Sequence, residues 1–472
     1  MKHLIPLLIF TFAIVSISFG QHLHQVEFLE SLSTFELQQE TDLEVDNGVD
    51  LYKVNYYTTG SDGLPDTASG LLVIPTVDKD DFPVVVYHHG TSPRKSAVPS
   101  SLELEFAAYA GIGGMGFIVL APDYLGMGDS RGFHPYVHRE TQASASIDML
   151  RAFQEWVASE PFSWNEQLFL TGYSQGGHAS MSTHWALESQ HFHEYEVTAA
   201  THLSGPYSIS EVMKDNMFSS QTYLFTGYIP YAILGYQEVY GDFYEQLQDV
   251  FRPQFVNNIQ QFYNGNIDLI ELNLRVAATL FSLCTCLHPV EMFNPAFVQA
   301  VNNEEDHPGL AYLRDNDTYD WAPQAPTRIF YCEADDQVPF QNSVLADSVM
   351  QLNGAVDLAT VDFGNLNHVN CATPVLLSTV DFFLEFTETS EVSDQAGSYD
   401  FRPYPNPSSG DLYINGAEDS RINVRIYNLQ GMEKLTFSHR SHIDLHSLKN
   451  GMYIVEIDSP SGRHHYRVVL QR

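Results

Sequence analysis

Gly172-Tyr173-Ser174-Gln175-Gly176 sets a serine between two glycines, after an apolar run from Gln167 to Thr171 and ahead of a helical stretch carrying Ala179, Met181 and Trp185. A hydroxyl held on a sharp strand-to-helix turn is presented to a reactant, and glycines flank it because a side chain there would collide with neighbouring backbone. The helix N-terminus behind Ser174 also favours negative charge developing on a substrate. The plainer alternative is a glycine-rich turn with an incidental serine; the strand before it and the helix after it weigh against that. A serine hydroxyl is a weak nucleophile near neutral pH, so it needs a base to take its proton and an acid to orient that base.

Both partners are expected downstream, in the order serine, acid, histidine. Tyr331-Cys332-Glu333-Ala334-Asp335-Asp336-Gln337-Val338-Pro339 reads as an apolar strand ending in acids. Asp335 is the preferred orienting acid, with Asp336 and Glu333 as rivals. Phe363-Gly364-Asn365-Leu366-Asn367-His368 ends the following strand and precedes a helix, which makes His368 the expected base. A lone histidine among 20 is usually structural or exposed, so this choice rests on its place in the order of strands and helices. The developing oxyanion needs two N–H donors, and the expected pair is the amide of Gln175 with that of Thr91, in the loop Tyr87-His88-His89-Gly90-Thr91. His88 and His89 do not read as a metal site, because adjacent side chains on a strand point to opposite faces.

These residues must be brought together by alternating strands and helices. From Asp50 to His368 short apolar runs alternate with amphipathic stretches, the pattern of βα units and a mostly parallel sheet. Strands are expected near Gly70 to Pro75, Val84 to His88, Phe117 to Pro122, Leu168 to Gly172, Ala199 to Leu203, Arg328 to Glu333 and Ala359 to Phe363. Ile147, Leu150, Phe153 and Val157 recur at helical spacing, and Ser343 to Leu352 reads as a surface helix. Between about 206 and 326 the regularity breaks. This stretch is rich in aromatics, including Tyr223, Phe225, Tyr228, Tyr231, Tyr236, Tyr240, Phe243 and Tyr244. It is expected to form an inserted helical cap over the carboxyl edge of the sheet, where open α/β sheets bind ligands, with most of the aromatics serving as the cap's own core.

With 44% hydrophobic and 13% aromatic residues the chain can bury a large core. Its formal charge of −37 excludes nucleic acid as a partner, since phosphate binding needs clustered Lys and Arg, and reads as a solvated acidic surface. Lys2 and His3 precede an apolar run from Leu4 to Phe19, the pattern of a signal peptide covering residues 1–20, with Gln21 beginning the mature chain. No later segment reads as a better membrane span. Four cysteines, Cys284, Cys286, Cys332 and Cys371, in a chain bound for an oxidising compartment predict one or two disulfides of undetermined connectivity. A direct Cys284–Cys286 bridge reads as strained, and the pair lacks the partner spacing of a zinc site. After a polar linker at 390–400 the texture changes to short alternating strands with turns at Gly410, Gly431 and Gly451, predicting a small β-sandwich over 401–472. From Phe401 onward nine Lys or Arg stand against seven Asp or Glu, so nearly all the negative charge lies before it.

Residues Leu51 to Glu388 resemble the secretory lipase family of α/β hydrolases. The resemblance rests on His88-His89-Gly90-Thr91, Ala121-Pro122-Asp123-Tyr124-Leu125-Gly126-Met127-Gly128, Gly172-Tyr173-Ser174-Gln175-Gly176-Gly177, Asn316 to Pro339 and Asn367-His368. It implies an α/β-hydrolase fold over residues 21–389, a Ser174, Asp335 and His368 triad, a helical lid and carboxylic ester substrates, with no cofactor. The tail from Tyr404 is similar to the sorting domain of type IX secretion. Tyr404-Pro405-Asn406-Pro407, the strand Asn423 to Tyr427 with Leu429-Gln430-Gly431, and Leu448-Lys449-Asn450-Gly451-Met452-Tyr453 carry that likeness. It implies export through the type IX machinery to the cell surface or beyond. Two rival functions remain in view: a serine peptidase on the same fold, and a catalytically dead binding protein, which an organophosphonate probe that fails to label Ser174 would favour. A carbohydrate-binding module is the structural rival for the tail.

Overall fold

The computed structural model describes residues 21–41, 43–303 and 307–387, and in the C-terminal part 403–405, 408–414, 422–428, 433–438, 440–459 and 462–470. The expected signal peptide and linker lie outside the described residues, as does the turn at Gly431. By internal contacts the chain divides into two compact units, residues 1–390 and 391–472.

The first unit is built on one nine-stranded sheet. Its strands are β1 (Leu23–Leu32), β2 (Gly48–Thr59), β3 (Pro65–Thr76), β4 (Asp81–His88), β5 (Ile118–Pro122), β6 (Ser163–Gly172), β7 (Ala199–Leu203), β8 (Thr327–Tyr331) and β9 (Leu358–Asp362). The spatial order is β1-β2-β3-β5-β4-β6-β7-β8-β9. From β5 to β9 every neighbouring pair is parallel, while β1, β2 and β3 add an antiparallel meander to the β5 edge. The seven expected strands are all present. β1 and β2 escape a reading by apolar runs because β1 is an edge strand without a buried residue, and its sequence shows no clean alternation.

The inner parallel strands are apolar because helices cover both faces of the sheet there, while the edge strand β9 ends in exposed residues. On one face Ile147, Leu150 and Phe153 of the helix Arg139–Val157 pack on Val84, Val86, Leu168 and Leu170. On the other, Val380 and Phe383 of the helix His368–Thr387 meet Val85, Val119 and Phe169, with the Phe169 and Phe383 ring centroids 4.7 Å apart. That last helix is long and apolar enough to cross a membrane by length and composition, but its apolar stripe is spent on this sheet.

Between β7 and β8 the chain forms helices, among them Tyr228–Tyr240, Pro253–Tyr263 and Leu269–Cys284, which make the inserted cap. Its core is its own: Phe251, Phe255, Ile259, Leu272, Val276, Leu280 and Phe293 are fully buried together. At the end of the helix Leu269–Cys284, Thr285 turns left-handed and Cys284 bonds directly to Cys286, correcting the expectation that so short a separation disfavours a bridge. The reason is local, since the helix C-cap reverses the chain and brings the two side chains together.

The second unit holds a three-stranded and a four-stranded antiparallel sheet. Leu412, Ile414 and Ile443 from the first meet Val424, Ile426, Val455, Ile457 and Val468 from the second in one buried cluster, which makes a β-sandwich.

Candidate active site

Ser174 sits where β6 turns into the helix Gln175–Ser189, with φ 60° and ψ −120°. A residue bearing a side chain occupies that region only under strain. The turn is closed by contact: a Cβ added to Gly176 would lie 1.9 Å from the carbonyl oxygen of His88, so no other residue fits there. The Ser174 amide donates to the Leu203 carbonyl at 2.9 Å, tying the turn to the end of β7.

Asp335 and His368 meet. Nδ1 of His368 lies 2.6 Å from Oδ2 of Asp335, and both side chains are almost wholly buried. Oδ1 of Asp335 accepts from the amides of Gln337 and Val338 at 2.9 and 2.8 Å, so each carboxylate oxygen has a partner. Asp336 turns elsewhere, its Oδ1 accepting from the His368 backbone amide at 3.2 Å, while Glu333 is exposed. The serine turn reaches the histidine through its neighbour: the Tyr173 hydroxyl donates to the His368 carbonyl, and the two ring centroids stand 4.8 Å apart. The disulfide Cys332–Cys371 staples this pair from outside, joining the residue three before Asp335 to the residue three after His368.

The amides of Thr91 and Gln175 donate to no acceptor among the described residues, while their neighbours Ser174, Gly176 and Gly90 do. The loop that carries Thr91 is held at each of its residues. Tyr124 stacks on His89 at 4.2 Å and donates its hydroxyl to the His89 carbonyl at 3.0 Å. The Gly90 amide donates to Glu105, and Oγ1 of Thr91 lies 2.8 Å from the Tyr136 hydroxyl. Tyr124 itself hangs from Asp123, whose buried carboxylate accepts from the hydroxyls of Ser69 and Ser100 and from the Ser100 amide.

His134, which sequence reasoning passed over as one histidine among many, orients Gln175. Its Nδ1 faces the Leu125 carbonyl at 2.7 Å and so must carry the proton there. Nε2 is then an acceptor, and the Gln175 side-chain amide donates to it at 2.8 Å. Burial lowers the His134 pKa to about 3, which keeps the ring in this neutral form.

Ser174 and Gln175 line a narrow cavity of about 60 Å³, bounded by Tyr136, Val137, Ile209, Met213, Tyr223, Tyr228 and Val338 among others. It lies between the ends of the parallel strands and the cap, and its wall is almost wholly apolar apart from tyrosine hydroxyls. Two of those are spent on Gln337, whose carbonyl accepts from Tyr223 and whose side-chain oxygen accepts from Tyr228, both at 2.9 Å. The cap is thereby tied to the loop that carries Asp335. No cluster of three or more His, Cys, Asp or Glu residues is placed to hold a metal among the described residues. His88 and His89 instead bond to Thr171, Thr183, Gly90 and Asp123.

A parallel sheet with a strained serine turn, a downstream acid and histidine, and a cap inserted after β7 defines an α/β hydrolase. Solved structures agree. The rice cell wall degrading esterase LipA of Xanthomonas oryzae is 26% identical over 78% of this chain and 97% of its own, with a TM-score of 0.67. A Legionella pneumophila protein assigned to the hydrolases is 26% identical over 79% of this chain and 100% of its own, with a TM-score of 0.70. Candida antarctica lipase A shares the fold at 15% identity, over 79% of this chain and 83% of its own, with a TM-score of 0.59. No curated protein shows a significant sequence match.

The profile of the secretory lipase family matches residues 97–281, and that of the secretion system C-terminal sorting domain matches residues 402–471. The chain is therefore a hydrolase of the lipase and esterase class, similar to the secretory lipases, ending in a sorting domain, and it is secreted or carried at the cell surface.

Proposed function

We propose that this protein hydrolyses carboxylic esters through Ser174, His368 and Asp335 by way of an acyl-enzyme. The observation that carries the reading is the buried Asp335–His368 pair beside the serine turn, whose Ser174 and Gln175 line an apolar cavity. His368 takes the Ser174 proton during attack on the ester carbonyl, and the oxyanion is held by the amides of Thr91 and Gln175. The protonated imidazole then passes its proton to the leaving alkoxide, and water repeats the sequence to release the acid. Asp335 keeps Nδ1 protonated, so that Nε2 is the basic atom, and offsets the charge on the imidazolium. The apolar wall suits an acyl group, and the tyrosine hydroxyls bound to Gln337 hold the cap over the acid loop. Export is proposed to use residues 1–20 as signal peptide and the tail as the address read by the type IX machinery.

Ser174→Ala tests the assignment. Turnover of p-nitrophenyl esters should fall by a factor of about 10³ or more with the melting temperature unchanged, and an organophosphonate should label Ser174 in the parent protein alone. Retained turnover in the variant would overturn the triad. Cleavage of p-nitroanilides at rates comparable with the esters would favour the peptidase reading instead.

A further inference from the structure

Glu105 precedes the helix Phe106–Gly114 in a left-handed conformation, φ 55° and ψ 30°, and makes no side-chain bond to the helix it begins. Its carboxylate points to the loop after β4. Oε1 accepts from the Gly90 amide at 3.0 Å and Oε2 from the Tyr87 hydroxyl at 2.7 Å. The approach is close enough that a Cβ on Gly90 would lie 2.7 Å from Oε1. No Lys or Arg pairs with Glu105 among the described residues. Burial raises its pKa, and the Tyr87 and Gly90 bonds only partly offset this. An acid in a strained backbone, partly buried and without a Lys or Arg partner, carries a stability cost, which marks it as a residue kept for its geometry.

We infer that Glu105 is a positioning residue for the reaction: its carboxylate clamps the backbone one residue before Thr91 and so aims the Thr91 amide at the oxyanion. This rests on the reading of Thr91 as an oxyanion donor. Gly90, the most pliable residue of the loop, is the one that Glu105 holds; His89 and Thr91 on either side are held by Tyr124 and Tyr136. Because the donor is needed where charge develops, loss of the clamp falls on the transition state more than on the bound substrate.

The test uses the full-length protein, with p-nitrophenyl butyrate as substrate, a boronic acid as mimic of the tetrahedral state, and rates normalised to the Ser174 titrated by an organophosphonate. Glu105→Asp, too short to reach Gly90, should lower kcat by about 10- to 100-fold with KM within about threefold, and weaken boronic acid binding by the same factor as kcat. Glu105→Gln, which can accept from Gly90 and bond Tyr87, should restore kcat to within about threefold of the parent. If Glu105→Asp does not fold, Tyr87→Phe, which frees the carboxylate to swing from Gly90, carries the same expectation of a kcat loss. Unchanged kcat per titrated serine in these variants, with only a lower melting temperature, would overturn the inference. A parent protein unlabelled at Ser174 would overturn the catalytic reading beneath it as well, which separates the two failures.

Discussion

Ser174 pays for its exposure with a backbone strain on the order of 1–3 kcal/mol, and the contacts around Gly176 leave the turn no alternative. The same economy of atoms favours Asp335 as the proposed acid. With Oδ1 of Asp335 saturated by two backbone amides, Oδ2 is left for the imidazole. In Asp335→Asn the amide group must either lose those amides or face Nδ1 and drive the proton to Nε2, the wrong tautomer for a base. Steady-state kinetics should show kcat falling on the order of 10³- to 10⁴-fold. Asp336→Asn still accepts from the His368 amide and should lose less than about tenfold; a larger loss there than at Asp335 would reverse the assignment.

Two elements carry the proposed acid and base, and one covalent bond joins them. Cys332 lies just past β8 and Cys371 in the first turn of the helix His368–Thr387, so the disulfide closes a 39-residue separation around the helix Gln341–Leu352 and β9. Replacing both cysteines by alanine should cost about 4 kcal/mol by the loop-entropy relation, read as a lower midpoint in denaturant, and should lower kcat because the acid loop gains freedom relative to the histidine. A variant with a lower midpoint but full kcat would show that the noncovalent contacts of Asp335 and Tyr173 suffice. The cap is tied to the same loop through Tyr223, Tyr228 and Gln337. Sequence periodicity could place the cap but could not disclose these ties, because they join residues more than 100 positions apart.

The hydrolase unit buries an unusual set of histidines. Burial lowers His88, His138 and His178 to about 4 and His134 to about 3, and lowers His89 and His202 as well. In the unfolded chain all six titrate near 6.5. Their stability is therefore present in full above pH 6.5 and lost as pH falls toward 4, each at up to about 1.4 kcal/mol per pH unit, because only the unfolded state takes up protons in that window. Asp317, raised to about 6 by burial, acts in the opposite sense, as do Glu105 and Asp123, but three groups oppose six. The melting temperature should fall steadily between pH 6.5 and 4.5; a flat or rising profile would contradict the neutral assignment. A chain ending at residue 390 should keep kcat within about twofold, since each unit has its own core. Its export should stop, which fractionation of cells and medium would read.

The α/β architecture and the inserted cap could be named from the chain alone, and so could Ser174, Asp335, His368, Thr91 and Gln175 as the proposed site, because each lies at or just past a strand end whose order follows from local apolar runs. The packing partners could not. Nothing local distinguishes Glu105 from the other acids or His134 from nineteen other histidines, and nothing in their spacing pairs Cys332 with Cys371. Their roles arise from distances between strand ends and loops remote in sequence, which exist only once the sheet has formed and its helices have closed over both faces.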